Sequence, residues 1–103
     1  MFSLKNKTAL ITGASGGIGQ EVARYMYEQG ANIILTGTNE TKLKTISSDF
    51  GKKATYIVAD LSNDKDIEYL SKNAETYNGQ IDILVNNAGI TSDNLFIRMK
   101  DDE

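Results

Sequence analysis

Residues 8–31 read TALITGASGGIGQEVARYMYEQGA, and the other segments take their meaning from them. Ala9-Leu10-Ile11 is an apolar run too short for a helix and apolar enough for a strand buried on both faces. A turn carrying Gly13, Gly16, Gly17 and Gly19 follows. Ile18, Val22, Tyr25, Met26 and Gln29 then recur at helical spacing, and Gly30 stands where a helix C-cap is expected. Strand, glycine turn and helix, in that order, open a βαβ unit.

The glycines have separate tasks. Gly13 lets the chain turn sharply off the strand, Gly17 leaves room for a pyrophosphate to reach the backbone, and Gly19 lets the helix pack closely. The free N–H groups and the dipole of the helix N-terminus then favour an anion. Thr12, Ser15, Gly16, Gly17, Ile18 and Gly19 form the expected phosphate turn. The Ser15 hydroxyl either donates to a ribose or phosphate or bonds its own backbone, as turn serines do. The spacing is Thr12-Gly13-x-x-x-Gly17-x-Gly19 rather than GxGxxG.

The rest of the 103 residues alternates. Residues 32–36 (NIILT) form a second strand, and a helix over about 39–50 has Asn39 as N-cap and Leu43, Ile46 and Phe50 on one face. A third strand spans 54–59 (ATYIVA), and a helix over about 63–77 carries Ile67, Leu70, Ala74 and Tyr77 as its apolar stripe. Residues 81–85 (IDILV) form a fourth strand. This βαβαβαβ order predicts an α/β fold, the N-terminal half of a Rossmann-type doubly wound parallel sheet with right-handed crossovers. The sequence is one domain at most, a partial dinucleotide-binding domain over 1–103. After it come Asn86–Met99 and the run Lys100-Asp101-Asp102-Glu103, which suits the first turn of a further helix or a solvated tail.

Composition narrows the function. Hydrophobic residues make up 40% and charged residues 24%, as in a globular chain. A net charge of −3 offers no electrostatic case for nucleic acid or an anionic membrane. Without cysteine or histidine there is no thiol chemistry, no disulfide and no conventional metal site. No span has transmembrane length and no secretory leader is evident, so the cytoplasm is the expected compartment. At the end of strand two, where an NAD site places an acid for the ribose 2′-hydroxyl, the chain has Thr36-Gly37-Thr38-Asn39. Glu40 falls in the following helix, so NADP(H) is expected over NAD(H), with Thr38 at the ribose.

The TGxxxGxG spacing, Asp60-Leu61-Ser62 after strand three and Asn86-Asn87-Ala88-Gly89 after strand four together resemble the short-chain dehydrogenase/reductase family. The resemblance spans essentially the whole chain as the N-terminal part of such an enzyme and implies strand order 3-2-1-4. It implies that Asp60 accepts from the adenine amine while Leu61 covers a ring face; the plainer reading makes Asp60 a helix cap. It also implies that Asn87, Ala88 and Gly89 let the backbone pass close to the cofactor, with an asparagine amide bonding across to the first turn. Following KTALITGASGGIG, the stretch VNNAGITSDNLFIRMKDDE most resembles the bacterial branch that reduces 3-oxoacyl thioesters on acyl-carrier protein in fatty-acid synthesis. That branch consists of cytoplasmic, tetrameric NADPH enzymes.

Family members run to about 250 residues. Their catalytic serine, Tyr-x-x-x-Lys pair and assisting asparagine are expected beyond Glu103. None of Tyr25, Tyr27, Tyr56, Tyr69 and Tyr77 has a lysine four positions on. The expectation is therefore a truncated domain: cofactor-binding residues, no catalytic residue, inactivity alone, and acyl-carrier-protein contacts only if the remainder is present. A bare fourth strand also predicts marginal stability or association. The alternatives are another short-chain carbonyl reductase, a non-catalytic nucleotide-binding module, or a decayed gene product.

Overall fold

The computed structural model describes residues 3–78 and 80–87. Its elements run β1 (Thr8–Thr12), α1 (Gly17–Glu28), β2 (Asn32–Gly37), α2 (Glu40–Phe50), β3 (Ala54–Val58), α3 (Asp64–Asn78) and β4 (Ile83–Asn86). The strands form one parallel sheet in the order β3-β2-β1-β4. This is the expected Rossmann-type arrangement, with β1 flanked on both sides.

Alternation along each strand sorts side chains between the two helical layers. Ala9 and Ile11 of β1, with Ile33 and Leu35 of β2, enter the core that also holds Ala23, Leu43 and Phe50 of α1 and α2. Leu10, Ile34 and Ile57 point the other way, onto Ile67, Leu70 and Ala74 of α3. Strands with apolar residues on both faces read as continuous apolar runs, and every residue of β1 is buried. Leu4, in the polar lead-in, is also buried, and its N–H donates to the Gln29 carbonyl at 2.8 Å.

The helices keep their expected spans within a residue or two, but α1 presents a different face. Its buried residues are Gly19 and Ala23, with Met26 and Tyr27 partly covered, whereas Ile18 is 72% and Tyr25 56% exposed. Small side chains carry the contact because α1 lies tight against the turn that launches it. Gly30 follows the α1 C-cap with φ +103°, the left-handed geometry expected there. In α2, Leu43 and Phe50 are buried as expected together with Ser47, and Ile46 is half-buried. In α3, Ile67, Leu70 and Ala74 are buried as expected together with Ser71, while the Tyr77 side chain lies outside the described residues.

β4 starts two residues later than expected. Asp82, just before it, still joins β1: its N–H donates to the Thr8 carbonyl and its carboxylate accepts from the Thr8 N–H, each at 2.9 Å. Among the described residues β4 pairs with β1 alone, and Ile83, Leu84 and Val85 stay half-buried.

Candidate dinucleotide site

In a parallel sheet every strand ends on the same edge, so the segments after β1, β2, β3 and β4 converge. They line a cleft of about 300 Å³. Gly13 and Ser15 come from the first segment, Gly37 and Thr38 from the second, Asp60, Leu61 and Ser62 from the third, and Asn87 from the fourth.

The first turn is held from three sides. Gly13 adopts φ +62°, a conformation that favours glycine. The Ala14 N–H donates to the Thr36 carbonyl at 3.1 Å, and the Gly16 N–H to the Gly13 carbonyl at 3.2 Å. From the segment after β4, the Asn87 side-chain amide donates to that same Gly13 oxygen at 3.3 Å, the cross-sheet bond expected of an asparagine here. A Cβ on Gly19 would stand 2.7 Å from the Gly13 oxygen and 3.0 Å from the Ala14 Cα, so close approach requires glycine. A Cβ on Gly17 would meet nothing within 4 Å, leaving open space beside the helix start.

Thr12 belongs to the scaffold rather than to the phosphate turn. It is fully buried; its hydroxyl donates to Asn86 Oδ1 and accepts the Asn87 N–H, each at 2.9 Å. Ser15, by contrast, has a hydroxyl with no partner among the described residues, while its carbonyl accepts from the Gln20 side chain.

The three helix starts differ. In α2 the Asn39 side chain accepts the Lys42 N–H and Glu40 occupies the first turn. In α3 the Asn63 side chain accepts the Lys65 and Asp66 N–H groups, and Asp64 and Asp66 lie in the first turn. The α1 N-terminus has Gly16 as N-cap, no side-chain cap and no acid. The Gly17, Ile18 and Gly19 N–H groups have no intrahelical acceptor, and Gly16, Gly17 and Ile18 are exposed. These residues fit a diphosphate: the helix end lacks the negative partner that its siblings possess.

At the β2 end Thr38 is exposed on the cleft, and Asn39 is occupied as a cap. Glu40 accepts from the Tyr56 hydroxyl at 3.3 Å. Lys42 lies on the exposed side of α2.

After β3, Asn63 rather than Asp60 caps α3. The Asp60 Oδ1 atom accepts from the Ser62 hydroxyl at 2.7 Å and the Ser62 N–H at 3.0 Å, which holds the carboxyl below the usual aspartate range. Asp66 accepts the Asp60 N–H at 2.7 Å. Leu61 lines the cleft but is itself packed into the α3 core. The sequence pattern alone gives Ser62 and Asp66 no role; the Asp-x-Ser spacing, which favours a side-chain turn, is the one signal for the first. Ala88 and Gly89 lie outside the described residues. No group of three histidines, cysteines or acids is placed to hold a metal among the described residues.

Comparison with known proteins agrees with this geometry. The short chain dehydrogenase family profile matches residues 7–103, and the chain belongs to that family. It is 48% identical to Nodulation protein G of a Rhizobium species over 101 residues, which cover 98% of this chain and 41% of the relative. It is 45% identical to the 3-oxoacyl-(acyl-carrier-protein) reductase FabG of Salmonella typhimurium over 102 residues, covering 99% and 42%. Among solved structures, the Brucella melitensis 3-ketoacyl-(acyl-carrier-protein) reductase complexed with NADH superposes with a TM-score of 0.82 at 35% identity. That match covers 85% of this chain and 36% of the other. A metagenomic short-chain oxidoreductase in complex with NADP gives a TM-score of 0.77 at 34% identity, covering 84% and 40%. The chain thus spans about two-fifths of the length of the curated relatives it matches.

Proposed function

We propose that these residues are the cofactor-binding part of an NADP(H)-dependent reductase of 3-oxoacyl thioesters carried on acyl-carrier protein, acting in fatty-acid synthesis in the cytoplasm. The observation that carries the binding role is the bare α1 N-terminus between Ser15 and the open space at Gly17, beside two helices whose starts are capped and acidic. In this reading the N–H groups of Gly17, Ile18 and Gly19 hold the pyrophosphate, and Ser15 donates from its free hydroxyl. Thr38 faces the adenosine ribose, Asp60 and Leu61 the adenine, and Asn87-Ala88-Gly89 the chain joining the two nucleotides.

The preference for NADP(H) rests on the β2 end. A ribose 2′-phosphate there would meet the Thr38 hydroxyl, with the Glu40 carboxylate engaged by Tyr56. The bound cofactor would supply the hydride; the protein would bind and orient its adenosine and pyrophosphate. No residue among the 103 is assigned to proton transfer.

Titration calorimetry with NADPH, NADH and 2′,5′-ADP tests this reading. Saturable binding with NADPH tighter than NADH is expected, and 2′,5′-ADP should retain much of the affinity because these residues serve the adenosine half. Absence of saturable binding would overturn the binding role. Turnover of acetoacetyl thioesters by the protein in its native cell extract, against other small ketones, separates the acyl substrate from another carbonyl substrate.

A further inference from the structure

β3 is an outer strand: among the described residues it pairs with β2 alone. The Ile33 N–H donates to the Lys53 carbonyl at 2.7 Å, and the Ala59 N–H to the Gly37 carbonyl at 2.9 Å. Backbone groups alternate in direction along a strand, so residues 53, 55, 57 and 59 face β2, while Ala54, Tyr56 and Val58 direct their N–H and C=O groups off the sheet. A groove of about 360 Å³ runs along this edge, between Glu40 of α2 and Tyr69 and Asn73 of α3. Neither helix closes over it, since Val58 is 38% and Tyr69 55% exposed. Proteins commonly blunt such an edge with a proline, a charge within the strand or a bulge. β3 reads ATYIV, without proline or charge, and its register to β2 advances one residue at a time with no bulge. Its charges stand just outside the strand and differ in sign, Lys52 and Lys53 before it and Asp60 after it.

We infer that β3 is a self-association edge, which takes the β3 of a second copy of this chain in antiparallel pairing about a two-fold axis at Tyr56. In that register Ala54 lies opposite Val58, Thr55 opposite Ile57 and Lys52 opposite Asp60. The Val58 N–H donates to the Ala54 carbonyl of the second copy, and the symmetry repeats the bond. Only the Ala54 carbonyl is needed, because its N–H already donates to the Gly51 carbonyl at 3.2 Å. The exposed Val58 side chain then stands beside Ala54, which is small enough to admit it. The end charges select this register. Parallel pairing would set Lys52 against Lys52 and Asp60 against Asp60, and a slip of two residues would lose the match of unlike charges. Asp60 is held at the strand end by the Ser62 hydroxyl and N–H, both donating to Oδ1. A two-fold contact of this kind is closed, so it yields a dimer with a continuous sheet rather than a fibre. Such pairing needs no nucleotide.

Sedimentation velocity on the purified protein without nucleotide, over about a hundredfold range of concentration, tests the pairing. A monomer–dimer equilibrium is expected. Lys52→Glu alone and Asp60→Lys alone each turn attraction into repulsion at both ends of the seam, and each should weaken the dimer by about tenfold. The double variant, with the charges exchanged, should recover it to within about threefold of the unsubstituted protein, which a general loss of stability would not do. Val58→Pro removes an outward N–H without touching a bond to β2, and should abolish the dimer while the far-ultraviolet circular dichroism stays unchanged. A protein that is monomeric throughout overturns the inference. So does a dimer that both single reversals leave unchanged, which would associate elsewhere, as through β4, and so does a double variant that fails to recover.

Discussion

The Asn87 side-chain amide reaches the Gly13 carbonyl oxygen, so the last described residue of the chain holds the first turn of the fold. The same glycine oxygen is where a Gly19 Cβ would collide. Asn87→Ala removes a partly exposed bond and should cost stability only about 1 kcal/mol, while the loosened turn lowers dinucleotide affinity severalfold. Urea unfolding and calorimetry on the same preparation check both parts.

Gly17 and Gly19 should respond oppositely to alanine. Gly19→Ala forces a Cβ against backbone atoms and should destabilise by about 1–3 kcal/mol. Gly17→Ala meets open space and should leave unfolding nearly unchanged, yet it should weaken dinucleotide binding by filling the room left for the phosphate. Thermal melts with and without NADPH separate the two effects.

Ser71 offers a gain. Its hydroxyl is fully buried in α3 and has no hydrogen-bond partner among the described residues. Ser71→Ala removes an unsatisfied polar atom and should raise stability by about 1 kcal/mol, read as a shift in the urea midpoint at constant slope. Asn39→Ala, which deletes the α2 cap, should lower it by about 1 kcal/mol.

Acid should distinguish Asp60 from an ordinary surface carboxylate. The Ser62 hydroxyl, and then the Ser62 N–H, lower its pKa in the folded protein. A group so depressed contributes stability that is fully present above its unfolded pKa and is lost as pH falls through the folded one. Ser62→Ala should therefore remove most of that contribution above about pH 5, flatten the loss of stability on acidification and move the Asp60 titration upward. Carboxyl chemical shifts followed through the acid range provide the measurement.

Much of the architecture is legible because β1 and β2 are short apolar runs between segments of helical periodicity, and strands covered on both faces must look like that. On α1 the apolar spacing identifies only part of the buried face: Val22 and Met26 are half-buried, Ile18 and Tyr25 exposed. Apolar spacing finds large side chains, but a helix pressed against its own launching turn buries Gly19 and Ala23 and turns Ile18 and Tyr25 outward. Thr12 adjoins the phosphate turn in sequence, which is why the pattern groups it there. Its actual partners, Asn86 and Asn87, lie at the far end of the described chain, where no local pattern announces the pairing. Asp66 likewise carries no local signal: helix-start acids usually serve the dipole, and this one also restrains the preceding loop.

The strand order has a further consequence for how the molecule is made. β1 pairs early with β2, but its second neighbour, β4, is made only after β2 and β3: Thr12 and Asn86, which are hydrogen-bonded, are separated by 74 positions. Such a long closure must be completed before its contacts repay the lost chain entropy, so the β1–β4 seam should be the slowest step of folding. Until it forms, the growing chain holds the α1 turn without its Asn87 brace, and a nucleotide present during synthesis would meet only part of its pocket.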